Sequence, residues 1–368
     1  LQVSVAGTHP ETVKNTADFR PFPGVCLVRP PKRGDQGAVP VMDQKLKFGC
    51  GLYDRMLPLY TGEVVPEGVA LDFVISHSPR ELFDSLSREG GFDIAEMSAS
   101  EYITRFAAGQ CPFVALPVFP SRIFRHGFIT VNRTSGIRTP KDLEGRRVGI
   151  QIYTQTAAVW SRGLLARDYG VDLSAIHWVE GDVDKPGRSG DPYVLPLLKP
   201  VDLVPNDSGV SLGELLERGG IDALVSARLP RAFGKNPDIE RLFPDSRAVE
   251  MDYFRRTGIF PIMHIVVMRR ALHDADPSLG PRLFDAFCRS KDQAVAAMKG
   301  RGGTLPYMLP WLKSEIEAME AVFGPDPWPY GVAANRVTLE ALVACLCEQD
   351  MIAAPMPVEE LFVAGRGL

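Results

Sequence analysis

From Lys45 onward, short apolar runs that read as strands alternate with segments of helical spacing, and this alternation constrains the fold more than any other feature. Residues 46–50 read as a strand and 53–60 as a short helical stretch. Residues 69–75 alternate apolar and polar side chains, as a half-buried strand does. Helical spacing follows over 79–88 (Leu82, Phe83, Leu86), then a strand over 92–97. Ser98-Ala99-Ser100-Glu101 has the spacing of a capping box and opens a helix to about Ala108. A strand over 113–119 completes the first βα set. A second set begins at Phe124, with strands over 128–132, 147–152, 176–179 and 221–225 and helices over 154–169 and 212–218. Thr139-Pro140-Lys141-Asp142 supplies an N-cap, a proline at the first helical position and an acid in the first turn.

A return strand over 263–268 and a mostly helical tail from 281 to 348, broken at Gly302-Gly303 and Pro325-Asp326-Pro327, complete the pattern. The 368 residues amount to roughly two domains. The expected organisation is two α/β lobes joined by crossovers near 118–122 and 257–261, with a ligand cleft between them. Lobe 1 takes residues 45–120 plus 262–368, and lobe 2 takes 121–261. Residues 1–44, rich in proline and without periodic apolar pattern, read as an irregular N-terminal extension.

Several function classes lose their footing. The charge balance is 41 − 45 = −4, so no basic surplus points to nucleic acid or an anionic membrane. No run of ~18 apolar residues suggests a membrane span, and no signal-peptide pattern is read at the N-terminus, so a cytoplasmic location is expected. The six cysteines (Cys26, Cys50, Cys111, Cys288, Cys345, Cys347) are scattered and read as free thiols. The chain has no GxxxxGK[ST] loop, no GxGxxG after a strand, no HExxH and no GxSxG.

Five segments could carry chemistry. Phe119-Pro120-Ser121-Arg122-Ile123-Phe124-Arg125-His126 puts two arginines and a histidine at the first crossover. Arg122 and Arg125 suit carboxylates through the guanidinium fork, and His126 suits proton transfer near neutral pH. Asp252-Tyr253-Phe254-Arg255-Arg256-Thr257 and the segment to His264 repeat that mixture at the second crossover, although a lone histidine in an apolar strand, as His264 is, is more often a satisfied core residue than a site residue. Tyr153-Thr154-Gln155-Thr156 opens a helix and offers either backbone N–H groups to an anion or a plain cap by Thr154. Glu96, with Ser98 after it at the end of a strand, is a general acid if burial raises its pKa, or a salt-bridge partner of a cleft arginine. Gly51-Leu52-Tyr53-Asp54-Arg55 fits a ligand-facing turn or a surface Asp–Arg pair.

These segments resemble the 4,5-dihydroxyphthalate decarboxylase family. Tyr53-Asp54-Arg55, Phe92 to Ser98, Pro117 to His126, Gly136 to Leu143, Tyr253 with Arg255 to Pro261, Tyr307-Met308-Leu309-Pro310-Trp311 and Trp328-Pro329-Tyr330-Gly331 recur in order from about Lys45 to Phe362. The resemblance implies a two-lobed type 2 periplasmic-binding-protein-like fold and an aromatic ortho-dicarboxylate substrate bearing two hydroxyls. It implies loss of carbon dioxide to give 3,4-dihydroxybenzoate. A phenolate para to the departing carboxylate would push electrons onto the ring carbon that an acid protonates. That chemistry requires no organic cofactor and leaves a divalent metal open. Arg122 and Arg125 are then first choices for the carboxylates, supported by Thr154 to Thr156. His126 comes first for proton transfer and Glu96 second, and His264 or Tyr53 would polarise the catechol. The competing expectation is a non-catalytic, transporter-type binding protein for a small organic anion. A homo-oligomer is expected from the surface offered by the helical tail and N-terminal arm.

Overall fold

The computed structural model describes residues 45–88, 91–190, 192–193, 195–300 and 305–363. The extension expected over 1–44, Cys26 and the Gly302-Gly303 break lie outside the described residues. The described residues form one compact unit.

The first βα set comprises β1 (Lys45–Cys50), α1 (Leu57–Thr61), β2 (Ala70–Ile75), α2 (Pro79–Arg88), β3 (Ile94–Ser98), α3 (Ala99–Ala107) and β4 (Phe113–Arg122). The chain then builds β5 (Ile129–Asn132), β6 (Arg147–Ile150), α4 (Thr156–Tyr169), β7 (His177–Glu180), β8 (Leu203–Pro205), α5 (Leu212–Glu217), β9 (Ala223–Val225), β10 (Ile239–Arg241) and α6 (Ser246–Thr257). It returns through β11 (Ile262–Arg269) to α7 (Arg270–Ala275), α8 (Leu279–Lys299), α9 (Leu312–Phe323) and α10 (Arg336–Glu348). The first sheet has the order β2-β1-β3-β11-β4 and the second β10-β5-β9-β6-β7-β8. The architecture is therefore two-lobed α/β, and the chain crosses between the sheets after β4 and after α6. β1 runs parallel to β2 and β3, whereas β11 is antiparallel to both β3 and β4. A strand late in the sequence thus slots between two early ones.

All five residues of β3 are buried, as expected of a strand covered on both faces. Phe48 packs edge-on against Phe73 and Phe287, which fixes α8 to the first sheet. Gly49 is needed for a close approach: a Cβ there would come within 2.7 Å of the Phe92 ring.

α4 joins the lobes. By chain order it belongs with the second sheet, and Ala158 and Leu165 enter that sheet's core. Yet Ala157, Val159 and Trp160 pack in the core of the first sheet. Trp160 Nε1 donates to the Ile262 carbonyl at 2.9 Å, Gln349 Nε2 donates to the Val159 carbonyl at 2.9 Å, and Arg162 Nε donates to Gln349 Oε1 at 2.9 Å. Every residue from Thr156 to Leu165 is buried, so that part of the helix is enclosed on all sides, while its last turn reaches solvent at Arg167.

Three local expectations differ from the structure. Asp252 to Thr257, read from sequence only as part of the residue mixture at the second crossover and not as a helix, form the last turns of α6. Thr139 does cap a helix with Asp142, but that helix is a single 3-10 turn, Pro140–Leu143. Ser98 precedes α3 without capping it; its hydroxyl is engaged elsewhere, as described next. No described helix is long and apolar enough to cross a membrane.

Candidate active site

The insertion of β11 beside β3 builds a buried polar centre in the first lobe. Glu96 lies on β3 with no exposed surface. Its Oε1 accepts hydrogen bonds from the Tyr53 hydroxyl at 2.7 Å and from His264 Nδ1 at 2.5 Å. Its Oε2 accepts the Gly51 amide at 3.0 Å and the Cys50 thiol at 3.3 Å. Strand register explains the convergence. Gly49 pairs with Ala95, which brings Cys50 level with Glu96, and His264 pairs with Ser98, one diagonal step from Glu96.

Burial alone would raise the Glu96 carboxyl. The His264 ring, by charge and hydrogen bond, and the Gly51 and Tyr53 donors overcome it and lower the carboxyl to about 2. Glu96 is therefore an anion and not the raised-pKa acid expected from sequence, and its partner is a histidine rather than a cleft arginine. The same anion and burial push the Tyr53 hydroxyl and the Cys50 thiol upward, burial contributing most, so both stay protonated and donate. The carboxylate fixes a proton on Nδ1 of His264. Nε2 points away from Glu96 and has no hydrogen-bond partner among the described residues. The His264 side chain is 18% exposed. Phe83 meets the ring edge-on at 5.0 Å.

A bulge aims His264. Between Val266 and His264 β11 advances two residues, while its partner β4 advances from Leu116 to Ser121. Pro117 and Pro120 lie in that stretch and donate nothing to the ladder. Its carbonyls are taken by side-chain and loop donors: Gly331 N–H to Pro117 (2.9 Å), Trp328 Nε1 to Phe119 (2.8 Å) and Arg55 Nε to Pro120 (2.8 Å). Arg55 is stacked between the Tyr53 and Trp328 rings, 4.4 and 4.3 Å from their centroids, and pairs with Asp54 at 2.9 Å. The Tyr53-Asp54-Arg55 segment therefore serves both the carboxylate and the bulge.

Next to this centre the starts of α3 and α4 meet. Ser98 Oγ and Thr156 Oγ1 are 2.9 Å apart, the Ser100 amide donates to Thr156 Oγ1 at 3.0 Å, and Ser100 Oγ donates to the Thr154 carbonyl at 2.8 Å. Gln155, not Thr154, occupies the N-cap position of α4 and makes no side-chain cap. Gln155 Nε2 is buried without a partner among the described residues. Ser98, Thr154 and Gln155 line a small pocket between the lobes with Arg80, Glu101 and Tyr193. Tyr153 lies beneath the Arg162 guanidinium, 3.6 Å from its ring centroid.

The crossover residues disperse. Arg122 is buried and donates to the Pro329 carbonyl at 2.9 Å and to Asn335 Oδ1, which ties the segment before α10 to β4. Arg125 is 4% exposed and poorly satisfied: its hydrogen bond to the Ala227 carbonyl is long at 3.4 Å, Nε has no partner, and no acid among the described residues forms an ion pair with it. Burial pulls its guanidinium down to about 9 against the pull of Glu250. A buried cation so placed suits an incoming anion. His126 is 2% exposed, with both ring nitrogens unpartnered among the described residues, inside a cage of Phe243, Tyr253 and Tyr169. Burial and then Arg256 push it down to about 4. It is a neutral core ring. Arg255 and Arg256 are exposed on the last turn of α6, where Arg256 pairs with Asp252 at 2.8 Å and Asp168 at 3.6 Å.

Cys50 and the Gly51 amide were not singled out as Glu96 partners from sequence, and their position just after the first strand was the available signal. Among the described residues no cluster of three or more His, Cys, Asp or Glu side chains is placed to hold a metal ion.

No family model matches the chain. The fold can be set beside solved structures such as the aliphatic sulphonate binding protein SsuA of Escherichia coli (TM-score 0.48, 14% identity, 86% of this chain and 91% of that one) and a sulfonate-binding protein of Methylobacillus flagellatus (TM-score 0.48, 12% identity, 87% and 91%). Superpositions this loose carry no weight for function. Sequence relatives are nearer. The chain is 35% identical over 319 residues to a 4,5-dihydroxyphthalate decarboxylase of Comamonas testosteroni, covering 86% of this chain and 96% of that protein. It is 36% identical over 213 residues to one of Pseudomonas putida, covering 57% and 81%. This protein belongs to the 4,5-dihydroxyphthalate decarboxylase family.

Proposed function

We propose that this protein decarboxylates 4,5-dihydroxyphthalate to 3,4-dihydroxybenzoate and carbon dioxide, with His264 as the proton donor to the ring carbon. The observation that carries the reading is the Glu96–His264 pair. The buried carboxylate holds the ring through Nδ1 and leaves Nε2 free to carry the transferred proton. Ionisation of the hydroxyl para to the departing carboxylate raises electron density at the carbon bearing it. Nε2 delivers a proton to that carbon, the bond to the carboxylate breaks, and its electron pair restores the aromatic ring as carbon dioxide leaves. The para oxygen is the electron source, so the step needs no organic cofactor or metal. Arg125 is the favoured partner of the substrate's carboxylates, because it is buried, cationic and without an ion-pair partner among the described residues. Gln155 Nε2 is a second open donor. Exposed Leu305, Met308, Leu309 and Trp311 support a homo-oligomer as part of the same proposal.

The test is to incubate the purified protein with 4,5-dihydroxyphthalate and follow both products. Turnover is expected, with kcat lowered about 10²–10⁴-fold by His264→Gln. Saturable binding without product in the wild type would favour a binding protein.

A further inference from the structure

Between β7 and β8 the described residues of 181–202 form no helix or strand, and connections of that length commonly serve function. Its middle leaves the second lobe and lies across elements of the first. Gly190, at φ +78°, passes so close to α2 that a Cβ would come within 2.6 Å of Arg80 Cγ. Tyr193 lies under the Arg105 guanidinium of α3, with Cζ 4.4 Å from the ring centroid. Arg105 is buried, its Nε and Nη1 have no hydrogen-bond partner among the described residues, and its ion-pair contact with Glu101 is 3.7 Å. The Tyr193 ring is thus a principal support of that cation. The ends of the stretch are anchored separately. Gln151 Nε2 donates to Ser189 Oγ at 2.8 Å, and beyond α10 the Asp350 carbonyl accepts the Leu198 amide at 2.8 Å while its carboxylate pairs with Lys199 at 2.9 Å.

Pro192, Tyr193, Leu195 and Leu197 wall the pocket that Ser98, Thr154 and Gln155 line from below. As closed, that pocket holds water-sized occupants and no benzene ring. Something must move for an aromatic substrate to reach Gln155. Parting the lobes would strip Ala157, Val159 and Trp160 from the first lobe's core and break the Trp160–Ile262 hydrogen bond. Lifting the strap costs far less. Tyr193 is already 42% exposed and Leu198 56% exposed, and the half-buried Leu197 packs against the core of the second lobe, to which the strap belongs, rather than that of the first.

We propose that the strap carrying Gly190, Pro192, Tyr193, Leu195 and Leu197 is the gate of the substrate pocket, latched by Tyr193 against Arg105, and that it opens while the lobes stay joined. The ligand assignment rests on the proposed decarboxylation; the gate itself does not. Tyr193 acts as a positioning residue, and its ring rather than its hydroxyl is the working part.

Hydrogen exchange on the ligand-free protein tests the latch. Amides of the strap should exchange at least tenfold faster in Tyr193→Ala than in wild type, those of α4 should be unchanged, and Tyr193→Phe should match wild type. Stopped-flow binding of 4,5-dihydroxyphthalate should show kon and koff both raised several-fold in Tyr193→Ala and normal in Tyr193→Phe. Unchanged strap exchange in a folded Tyr193→Ala protein overturns the latch. Loss of α4 protection together with the strap overturns the fixed-lobe part. If the wild type fails to bind or turn over dihydroxyphthalate, the functional reading falls while the exchange result still decides the gate.

Discussion

His264 and His126 carry the same ring in opposite surroundings: one leans on a buried carboxylate, the other on three aromatic faces. Glu96→Gln keeps an acceptor for His264 but removes the charge and turns an amide donor toward the Gly51 amide and the Cys50 thiol. We expect kcat to fall about tenfold or more with KM little changed, because the His264 ring loses the carboxylate that orients it; an unchanged kcat would show that Glu96 does not position the donor. The Glu96 carboxyl is lowered to about 2 in the folded chain, so its contribution to stability is complete above the pKa of an unfolded carboxyl and fades as pH falls toward 2. His126 acts in a different window. Held down to about 4, it stays neutral in the fold while the unfolded chain takes up a proton below about 6.5. The His126 contribution should therefore lower stability as pH falls from 6.5 to 4, by roughly 3 kcal/mol, and add nothing further below 4. Denaturant melts of His126→Phe across that range should show a flatter slope than wild type. Sequence alone ranked His126 above His264, because clustering near arginines was visible and burial among Phe243, Tyr253 and Tyr169 was not. The Glu96–His264 contact joins residues 168 apart and exists only because β11 inserts beside β3.

At the scale of elements, strands and helices with strong apolar patterning were legible, among them β1, β2, α2, β6 and α4. α6 was missed because Tyr253 is its one buried residue, so no apolar stripe marks it. The β4 bulge was signalled by Pro117 and Pro120, but its consequence depends on a partner strand far along the chain. The contact of α4 with α10 was equally invisible. A Cβ on Gly163 would collide with Cys345 Sγ, so the two helices touch where neither has bulk to spare. Gly163→Ala should lower stability by about 1–3 kcal/mol. Adding Cys345→Ala removes the sulfur and should return much of the loss, which thermal melts of the single and double variants would show. Equal losses in both would place the cost elsewhere.

The two-crossover, two-lobed plan was legible in the order of strand and helix signals, while the union of its lobes through α4 was not, since nothing in a helical pattern says which sheet the helix will serve. The union has a calorimetric consequence. In a molecule whose halves part and close, ligand capture buries fresh apolar area and gives a large negative heat-capacity change. Here Ala157, Val159 and Trp160 of α4 are packed in the first lobe's core, so little of that apolar area is left to bury. Titrations of 4,5-dihydroxyphthalate at several temperatures should therefore return a heat-capacity change no larger than burial of the ligand and the strap accounts for. Such a protein gains affinity from a scaffold set before the ligand arrives, and its heat of binding should vary little between cold and warm solution.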